Sequence, residues 1–287
     1  MAKKKKKRRI IKTIIKVIIV LILIISYSYY IEPKLITCKE YQIKNKNLTE
    51  NFNGLKIIHI SDLYYGKVFD EKQMNKLIAN INDQEPDIVV LTGDLLDKKT
   101  KITIDLSNKI SEKLKEIEAK IGKYAINGDN DLNFDEWSNI INSGNFQNLN
   151  NAYDTIYKNG YESILIAGVS TTKDKLDINE KLLKTNEYIN SFEKDGPIYK
   201  ILLMHEPDSI NDIKNNNFDL ILSGHSMHGQ IKIFSIPLIL ENGAKKYNQN
   251  HYTIDNKDLY ISNGLGSPNN FRLFNTPSYN IYKFKNN

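Results

Sequence analysis

The stretch Leu55-Lys-Ile-Ile-His-Ile-Ser-Asp62 decides the fold class, because an apolar run typical of a buried strand ends directly before a carboxylate. The arrangement recurs three times: residues 87–92 precede Gly93 and Asp94, residues 201–204 precede His205, and residues 220–223 precede Gly224 and His225. In a layered α/β fold the C-terminal ends of strands meet at one rim, so side chains distant in sequence can share one ion. The pattern therefore predicts an α/β protein with these four side chains at a common metal site.

Length and charge limit the class of protein. A chain of 287 residues accommodates one large domain or two small ones. The whole chain has a net charge of +6, and residues 1–34 contribute +9, so the rest carries −3. A mildly acidic body argues against a nucleic-acid partner, because nucleic-acid surfaces need a basic face. Cys38 is the only cysteine, which excludes an intrachain disulfide.

The N-terminus is typical of a membrane anchor. Residues 1–13 are polybasic, and residues 14–31 are apolar enough to form a transmembrane helix, roughly 27 Å long. A small-residue cleavage site does not follow, which favours an uncleaved signal-anchor. The positive-inside rule then predicts a single-pass protein of the cell membrane, with its N-terminus in the cytoplasm and its folded domain outside. Residues 32–36, with Pro33, form a predicted linker, and residues 37–287 form the domain.

Strand and helix patterns alternate through most of the domain and then give way to strands alone. Residues 37–43 predict an edge strand. Apolar periodicity predicts helices over residues 69–82, 107–121, 135–142 and 179–193, and strands over residues 123–126, 163–168, 231–234, 259–262 and 279–284. This order predicts two packed sheets with helices outside them, in a single domain.

The candidate ligands indicate the type of ion. Carboxylates and imidazoles together suit Mn, Fe or Zn better than Ca or Mg. Such an ion polarises phosphoryl oxygens and lowers the pKa of a bound water, and two ions about 4 Å apart also align the attacking and leaving oxygens. We therefore expect one or two divalent transition-metal ions.

Five ordered motifs resemble those of the calcineurin-like metallophosphoesterases, which read Asp-x-His, Gly-Asp-x-x-Asp, Gly-Asn-His-Asp/Glu, His and Gly-His-x-His. The corresponding stretches are Asp62-Leu-Tyr64, Gly93-Asp94-Leu-Leu-Asp97, Gly128-Asp129-Asn130-Asp131, His205-Glu-Pro207 and Gly224-His225-Ser-Met227-His228. The anchor and the tail, with Asn263-Gly-Leu-Gly266, Arg272 and Asn275-Thr-Pro277, are similar to the membrane-anchored bacterial subgroup of that family. The resemblance implies a four-layer αββα sandwich of two mixed sheets flanked by helices, and hydrolysis of a phosphate mono- or diester.

The resemblance also implies a ligand set. One metal position would use Asp94, Asp129, His205 and His225. The other position keeps Asp62 and the bridging Asp94, the two candidate catalytic residues, but Tyr64 and Met227 replace its histidines. A thioether is a poor ligand for these ions, and a phenol with a pKa near 10 needs a strongly acidic ion to deprotonate it.

Asn130 stands where the family has the histidine that protonates the leaving group. An amide cannot serve as a general acid near neutral pH. The degenerate motifs therefore imply either a one-metal site with altered chemistry or an inactive site that still binds an ion.

Several other polar residues have two interpretations each. His228 is either a loop residue or, through a local bulge, a further metal ligand. Arg272 either binds a substrate phosphate or pins the C-terminal tail. Asp97 and Asp131 either orient ligand histidines or cap loops. His59 lies within a strand and is expected to be buried and hydrogen-bonded.

Two functions fit the sequence. The first is a membrane-anchored, metal-dependent phosphoesterase acting at the cell envelope, where the anchor makes a lipid-linked phosphate ester a natural substrate. The second is a catalytically inactive relative that keeps one metal site and binds a ligand. The acidic body disfavours a nuclease.

Overall fold

The computed structural model of the chain describes residues 2–66, 69–158, 160–192, 196–214 and 217–285. Two six-stranded sheets pack together with helices outside them, which confirms the predicted α/β sandwich. The helices are α1 (Ala2–Tyr30), α2 (Glu71–Asn82), α3 (Ile104–Lys115), α4 (Trp137–Ser143), α5 (Ile178–Lys181) and α6 (Leu183–Asn190). The strands are β1 (Thr37–Lys44), β2 (Lys56–Ile60), β3 (Ile88–Thr92), β4 (Gly122–Ile126), β5 (Gln147–Asn148), β6 (Ala152–Tyr157), β7 (Ser163–Gly168), β8 (Tyr199–Met204), β9 (Leu220–Ser223), β10 (Lys232–Ile233), β11 (Ile236–Pro237), β12 (His251–Ile254), β13 (Lys257–Ile261) and β14 (Ser278–Lys285).

Both large sheets are mixed. The first has the strand order β1-β14-β2-β3-β4-β5, in which β2 to β5 run parallel and β14 pairs antiparallel with β2. The second has the order β12-β13-β9-β8-β7-β6, with parallel central strands and antiparallel pairs at both edges. β1 lies at the edge of the first sheet, as its sequence predicts.

The apolar run of β2 forms a central strand because both of its faces are buried. Ile58 and Ile60 belong to the apolar layer beneath α2, α3 and α4. Ile57, on the other face, belongs to the layer between the two sheets. A third layer, which includes Leu202 and Ile178, lies between the second sheet and α5. Alternate residues of a strand point to opposite faces, so a strand covered on both sides is apolar throughout.

Some elements differ from the sequence-based prediction. The helix expected at residues 179–193 is divided at Leu182 into α5 and α6, and residue 193 lies outside the described residues. The helix expected at residues 107–121 begins earlier, at Ile104, because the Thr103 side chain accepts the N–H of Leu106 and caps its N-terminus. Residues 231–234 start a separate hairpin, β10–β11, and do not extend a large sheet.

The N-terminal helix α1 contains both the polybasic segment and the apolar stretch. By length and composition it is able to cross a membrane. Nearly all of its apolar side chains are exposed, as expected of a helix that packs against lipid.

The segment predicted to be a linker is attached to the domain. The Glu32 carboxylate, only 1 % exposed, accepts the backbone N–H groups of Phe274 at 3.0 Å and Asn275 at 2.6 Å. The backbone N–H of Arg272 donates to the carbonyl of Ser28 in the last turns of α1, at 3.0 Å. The end of α1 is therefore fixed to the C-terminal tail.

Candidate metal centre

The site lies between the two sheets, at the C-terminal ends of their parallel strands. Asp62, Asp94, Asp129, His205 and His225 follow β2, β3, β4, β8 and β9 respectively. The backbone φ angles of Asp62, Asp94 and His225 are 51°, 53° and 63°. L-residues seldom adopt this region, and such strained turns concentrate at functional sites.

Two glycines allow the loops to approach one another. A Cβ atom on Gly128 would lie 2.3 Å from Oδ1 of Asp94, and one on Gly93 would lie 2.5 Å from Nδ1 of His205. Neither position tolerates a side chain, because real Cβ atoms are not found at such distances. The Gly-Asp pairs of the sequence are therefore needed for the close approach of strand ends.

Three donor atoms converge on one point. Nε2 of His205 lies 3.4 Å from Oδ1 of Asp129 and 3.3 Å from Nδ1 of His225, and the latter two atoms are 3.6 Å apart. Oδ1 of Asp94 adjoins them, 3.6 Å from Nε2 of His205. Two ligands held at about 2.1 Å in tetrahedral geometry are roughly 3.4 Å apart. The donor atoms of Asp129, His205 and His225 thus have the spacing of a metal-ligand shell, which Asp94 adjoins through His205.

Backbone carbonyls orient both imidazoles. Nδ1 of His205 lies 2.7 Å from the carbonyl oxygen of Thr92, and Nε2 of His225 lies 2.9 Å from that of Asn242. A carbonyl only accepts, so the nitrogen facing it carries the proton. In the neutral imidazoles the remaining nitrogens, Nε2 of His205 and Nδ1 of His225, offer lone pairs to the common point.

Asp62 and Asp94 are fully buried, and each binds a neighbouring loop. Asp62 accepts the backbone N–H of His225 at 3.1 Å, and Asp94 accepts the backbone and side-chain amides of Asn130 at 2.9 and 2.5 Å. The donor atoms of Asp62, Asp94 and His205 form a second group within 4.8 Å of one another. The two groups share His205, so five of the six predicted ligands form one continuous cluster.

The electrostatics of the cluster favour a cation. Burial raises the pKa of the Asp62 carboxyl to about 6, although a charged His205 opposes this shift. Burial also disfavours a charge on His205, but the carboxylates of Asp94 and Asp129 outweigh it and raise the pKa of His205 well above its usual value. Three aspartates and two imidazoles thus leave an excess of buried negative charge, which a proton or a metal ion must balance.

The replaced motif positions alter the neighbouring pocket. Burial, together with the charges of Asp94 and Asp62, raises the pKa of the Tyr64 phenol, which stays protonated and donates a hydrogen bond to Asp94. Met227 and Asp62 both adjoin Gly264, where an added Cβ atom would lie 2.8 and 3.0 Å from their side chains. Neither replacement offers a ligand comparable to imidazole.

His228 does not reach the cluster. Its ring is fully buried, and Nε2 lies 3.1 Å from the carbonyl oxygen of Ile261. Among the described residues, the two donor groups contain the five side chains named above and exclude His228. The proposed bulge is absent at this position because the backbone turns at His228, with a φ of 48°, and directs the ring toward β13.

Arg272 is also fully buried. Its Nη1 donates to the carbonyl oxygen of Asn263 at 2.8 Å, and its Nη2 donates to that of Gly266. Its guanidinium group thus binds the backbone of the tail, which corresponds to the second interpretation, that Arg272 pins the C-terminal tail.

The two remaining aspartates cap loops. Asp131 accepts the backbone N–H of Gly128 at 2.9 Å, and Asp97 accepts that of Lys99 at 2.9 Å. His59 is buried between the hydroxyl groups of Thr92 and Tyr282, at 2.7 and 3.3 Å, and burial lowers its pKa to about 3.

A cavity of about 320 Å³ opens onto the cluster. Its walls include Asp129, Asn130 and His225, and also Lys98, Lys99 and Glu241. The last three are not among the residues that the sequence motifs predict for the site. The two lysines directly follow Asp97 of the second motif, so their position was a usable signal; Glu241 lies in a loop whose path depends on tertiary contacts.

Comparison with known proteins identifies the family of the chain. The calcineurin-like phosphoesterase family matches residues 55–229, more than half of the chain. The chain is 28 % identical over 245 residues to the uncharacterized metallophosphoesterase YkuE of Bacillus subtilis, which covers 84 % of this chain and 82 % of that protein. It is 24 % identical over 250 residues to a transmembrane protein with metallophosphoesterase domain of Danio rerio, covering 82 % of this chain and 53 % of that protein. It is 21 % identical over 305 residues to the UDP-2,3-diacylglucosamine pyrophosphatase LpxG of Chlamydia muridarum, covering 90 % of this chain and 92 % of that protein. This chain belongs to the calcineurin-like phosphoesterases, a family that uses divalent metal ions.

Proposed function

We propose that the chain is a membrane-anchored phosphoesterase that hydrolyses a phosphate mono- or diester with one tightly held divalent ion. Asp94, Asp129, His205 and His225 would be the ligands of this ion. The observation that carries the proposal is the convergence of Asp129 Oδ1, His205 Nε2 and His225 Nδ1 at 3.3–3.6 Å, with both imidazoles oriented by carbonyls. The mixed oxygen and nitrogen donors favour Mn, Fe or Zn.

The residues present fit such an ion. Asp129 carries a charge where the family has an amide, so this position offers two carboxylates to a cation. A bound divalent ion would polarise the phosphoryl group and make a water more acidic. Asp62 lies in the adjoining group of donors and would orient that water or hold a second, weaker ion. Lys98 and Lys99, on the cavity wall, would attract the phosphate oxygens.

Hydrolysis also needs a proton at the leaving oxygen as the ester bond breaks. The family's histidine is Asn130 here, and its amide donates to Asp94 at 2.5 Å. This chain would therefore act best on esters whose leaving groups are stable as anions.

The anchor suggests where the substrate is found. α1 is able to cross a membrane, and the positive-inside rule puts the polybasic N-terminus in the cytoplasm and the phosphoesterase domain outside the cell membrane. LpxG is described as a pyrophosphatase of a diacylated sugar nucleotide, and its similarity to this chain supports a lipid-linked phosphate substrate. An acidic domain does not favour nucleic acid.

The replacements at Tyr64, Asn130 and Met227 support a second candidate, a catalytically inactive relative that binds an ion and a ligand. In that protein the ion would stabilise the loops, and the cavity would retain a phosphate compound without turnover.

One experiment separates these functions. The full-length chain is purified in detergent, its metal content is measured, and nitrophenyl phosphate mono- and diesters are assayed with added Mn, Fe or Zn. The proposal predicts about one ion per chain and turnover, both abolished by His225→Ala. The matched control, His251→Ala, alters a surface histidine on β12 and should retain both. One bound ion without turnover would favour the binding protein, and failure to retain any ion would contradict both.

A further inference from the structure

The hairpin formed by β10 and β11 exposes an apolar surface. Residues 231–240 read Ile-Lys-Ile-Phe-Ser-Ile-Pro-Leu-Ile-Leu, with one lysine and no acid. Phe234, at the tip, is 95 % exposed, and Ile236 is 64 % exposed. Ile233, Leu238, Ile239 and Leu240 are exposed as well. Scattered surface apolar residues need no explanation, but a contiguous patch indicates a partner.

The hairpin lies beside the end of α1. The backbone N–H of Lys232 donates to the carbonyl oxygen of Leu273 at 2.9 Å, and Ile231 forms a bridge with the same residue. The residue before Leu273, Arg272, donates its backbone N–H to Ser28 of α1. One short segment of the tail therefore has the hairpin on one side and the membrane helix on the other.

The segment adds its own apolar side chain to this surface. Phe274 is 64 % exposed, and its backbone N–H is held by Glu32 at the foot of α1. Tyr29 and Tyr30, in the last turn of the helix, are exposed as well. Aromatic residues of this kind are typical of the boundary between lipid and water.

We propose that this hairpin is a second membrane contact, inserted into the leaflet from which α1 emerges. The inference rests on the proposed anchoring of α1. The tip lies three residues beyond Ile231, a reach of roughly 10 Å along an extended chain, whereas the headgroup region of one leaflet is roughly 5–8 Å thick. The absence of acidic residues in the sequence of residues 231–240 and the presence of Lys232 suit an anionic lipid surface.

Membrane contact by the hairpin would orient the cavity. Glu241, the residue after the apolar stretch 231–240, lines the cavity, and the carbonyl of Asn242 accepts a hydrogen bond from the His225 ring. The chain thus leads directly from the apolar tip to the candidate metal centre. The preferred substrate class would be an amphiphile whose phosphate headgroup reaches the cavity while its acyl chains remain in the bilayer.

Single labels on the full-length chain test this contact. In a Cys38→Ser background, which removes the only cysteine, Phe234→Cys, Leu21→Cys and Tyr161→Cys each carry a nitroxide spin label. The protein is reconstituted in vesicles of phosphatidylcholine and phosphatidylglycerol, and collisions of the label with oxygen and with a water-soluble nickel chelate are measured. Leu21 reports the insertion of α1. Tyr161, fully exposed between β6 and β7, lies at the strand ends opposite the site and serves as the aqueous control.

The inference predicts that the label at position 234 resembles the one at position 21, with frequent oxygen collisions and at least a several-fold loss of nickel collisions relative to position 161. If the label at 234 collides with nickel as often as the label at 161 while the label at 21 is shielded, the hairpin contact is overturned and the anchoring by α1 stands. If the labels at 21 and 234 both collide with nickel, the hairpin contact and the anchoring are both overturned. Low access to both reagents at 234 would indicate contact with a second protein copy and would also overturn the inference.

Discussion

Replacing Glu32 with alanine should loosen the joint between α1 and the domain. The carboxylate is buried and accepts two backbone N–H groups, those of Phe274 and Asn275, at 3.0 and 2.6 Å. A buried donor left without a partner costs about 1–3 kcal/mol, and the Asn275 N–H is such a donor, whereas the Phe274 N–H is only partly buried. The free energy of unfolding should therefore fall by about 3 kcal/mol, which for a domain of this size lowers the midpoint temperature by roughly 6–12 °C.

The measurement is thermal unfolding of the full-length chain in detergent, followed by the emission of Trp137, the only tryptophan, which is buried in the layer beneath α4. Glu40→Ala is the matched control: its carboxylate is 47 % exposed and pairs with Lys283 at 2.7 Å. Surface pairs of this kind contribute about 0–1 kcal/mol, so its midpoint should change by less than roughly 4 °C. Equal shifts for the two variants would refute the reasoning that Glu32 fixes the anchor to the domain.

Three further predictions concern the site. Asn130→His should raise turnover of an alkyl phosphate ester about 10²-fold or more relative to a nitrophenyl ester, because a general acid contributes most where the leaving group is poor. Steady-state rates are measured on both substrates, and equal gains on the two would contradict the prediction. Tyr64→His combined with Met227→His should increase the ion content from one per chain toward two, because imidazoles replace a phenol and a thioether near Asp62. The ion content is measured by elemental analysis. An unchanged content would mean that restoring these two ligands is not sufficient for a second ion. Ion affinity should fall by about tenfold per pH unit for each proton displaced as the pH is lowered through the raised pKa of His205, because the proton competes with the ion for Nε2. The affinity is measured by competition with a chelator between pH 8 and pH 6. An affinity that stays roughly constant over this range would exclude His205 as a ligand.

The sequence predicted the central strands, and the edge where their C-terminal ends meet, for a local reason. Strands covered on both faces are uninterrupted apolar runs, and the side chain that follows each run lies at the same edge. Strands β6 and β12 were not predicted, because both are edge strands whose sequences, such as Ala-Tyr-Asp-Thr-Ile-Tyr, include polar residues on a half-exposed face. Their pairing depends on a partner elsewhere in the chain, which periodicity does not report.

The choice between the two interpretations of His228 and of Arg272 depends on backbone conformation and burial. The direction of the His228 ring follows from a left-handed turn and a contact with β13, and the role of Arg272 follows from its burial under the tail. Both features depend on contacts with residues that are distant in the sequence. The docking of Glu32 was missed for the same reason: Pro33 correctly predicted the end of the helix but not the contact of the next segment with residues 274 and 275.

The contacts of each aspartate bear on the choice between an ion site and a remnant of one. Asp62 and Asp94 each accept a backbone N–H from a neighbouring loop, so both would stabilise the fold even without a metal. Asp129 Oδ1, His205 Nε2 and His225 Nδ1 instead face one another at 3.3–3.6 Å. Burial disfavours a charge on either imidazole, but the neighbouring carboxylates raise the pKa of both, so either two imidazole protons donated to Asp129 or one divalent ion can lie between these atoms. His225→Ala would remove one of the three atoms without disturbing the backbone contacts of Asp62 and Asp94, so the ion content of this variant is the decisive measurement.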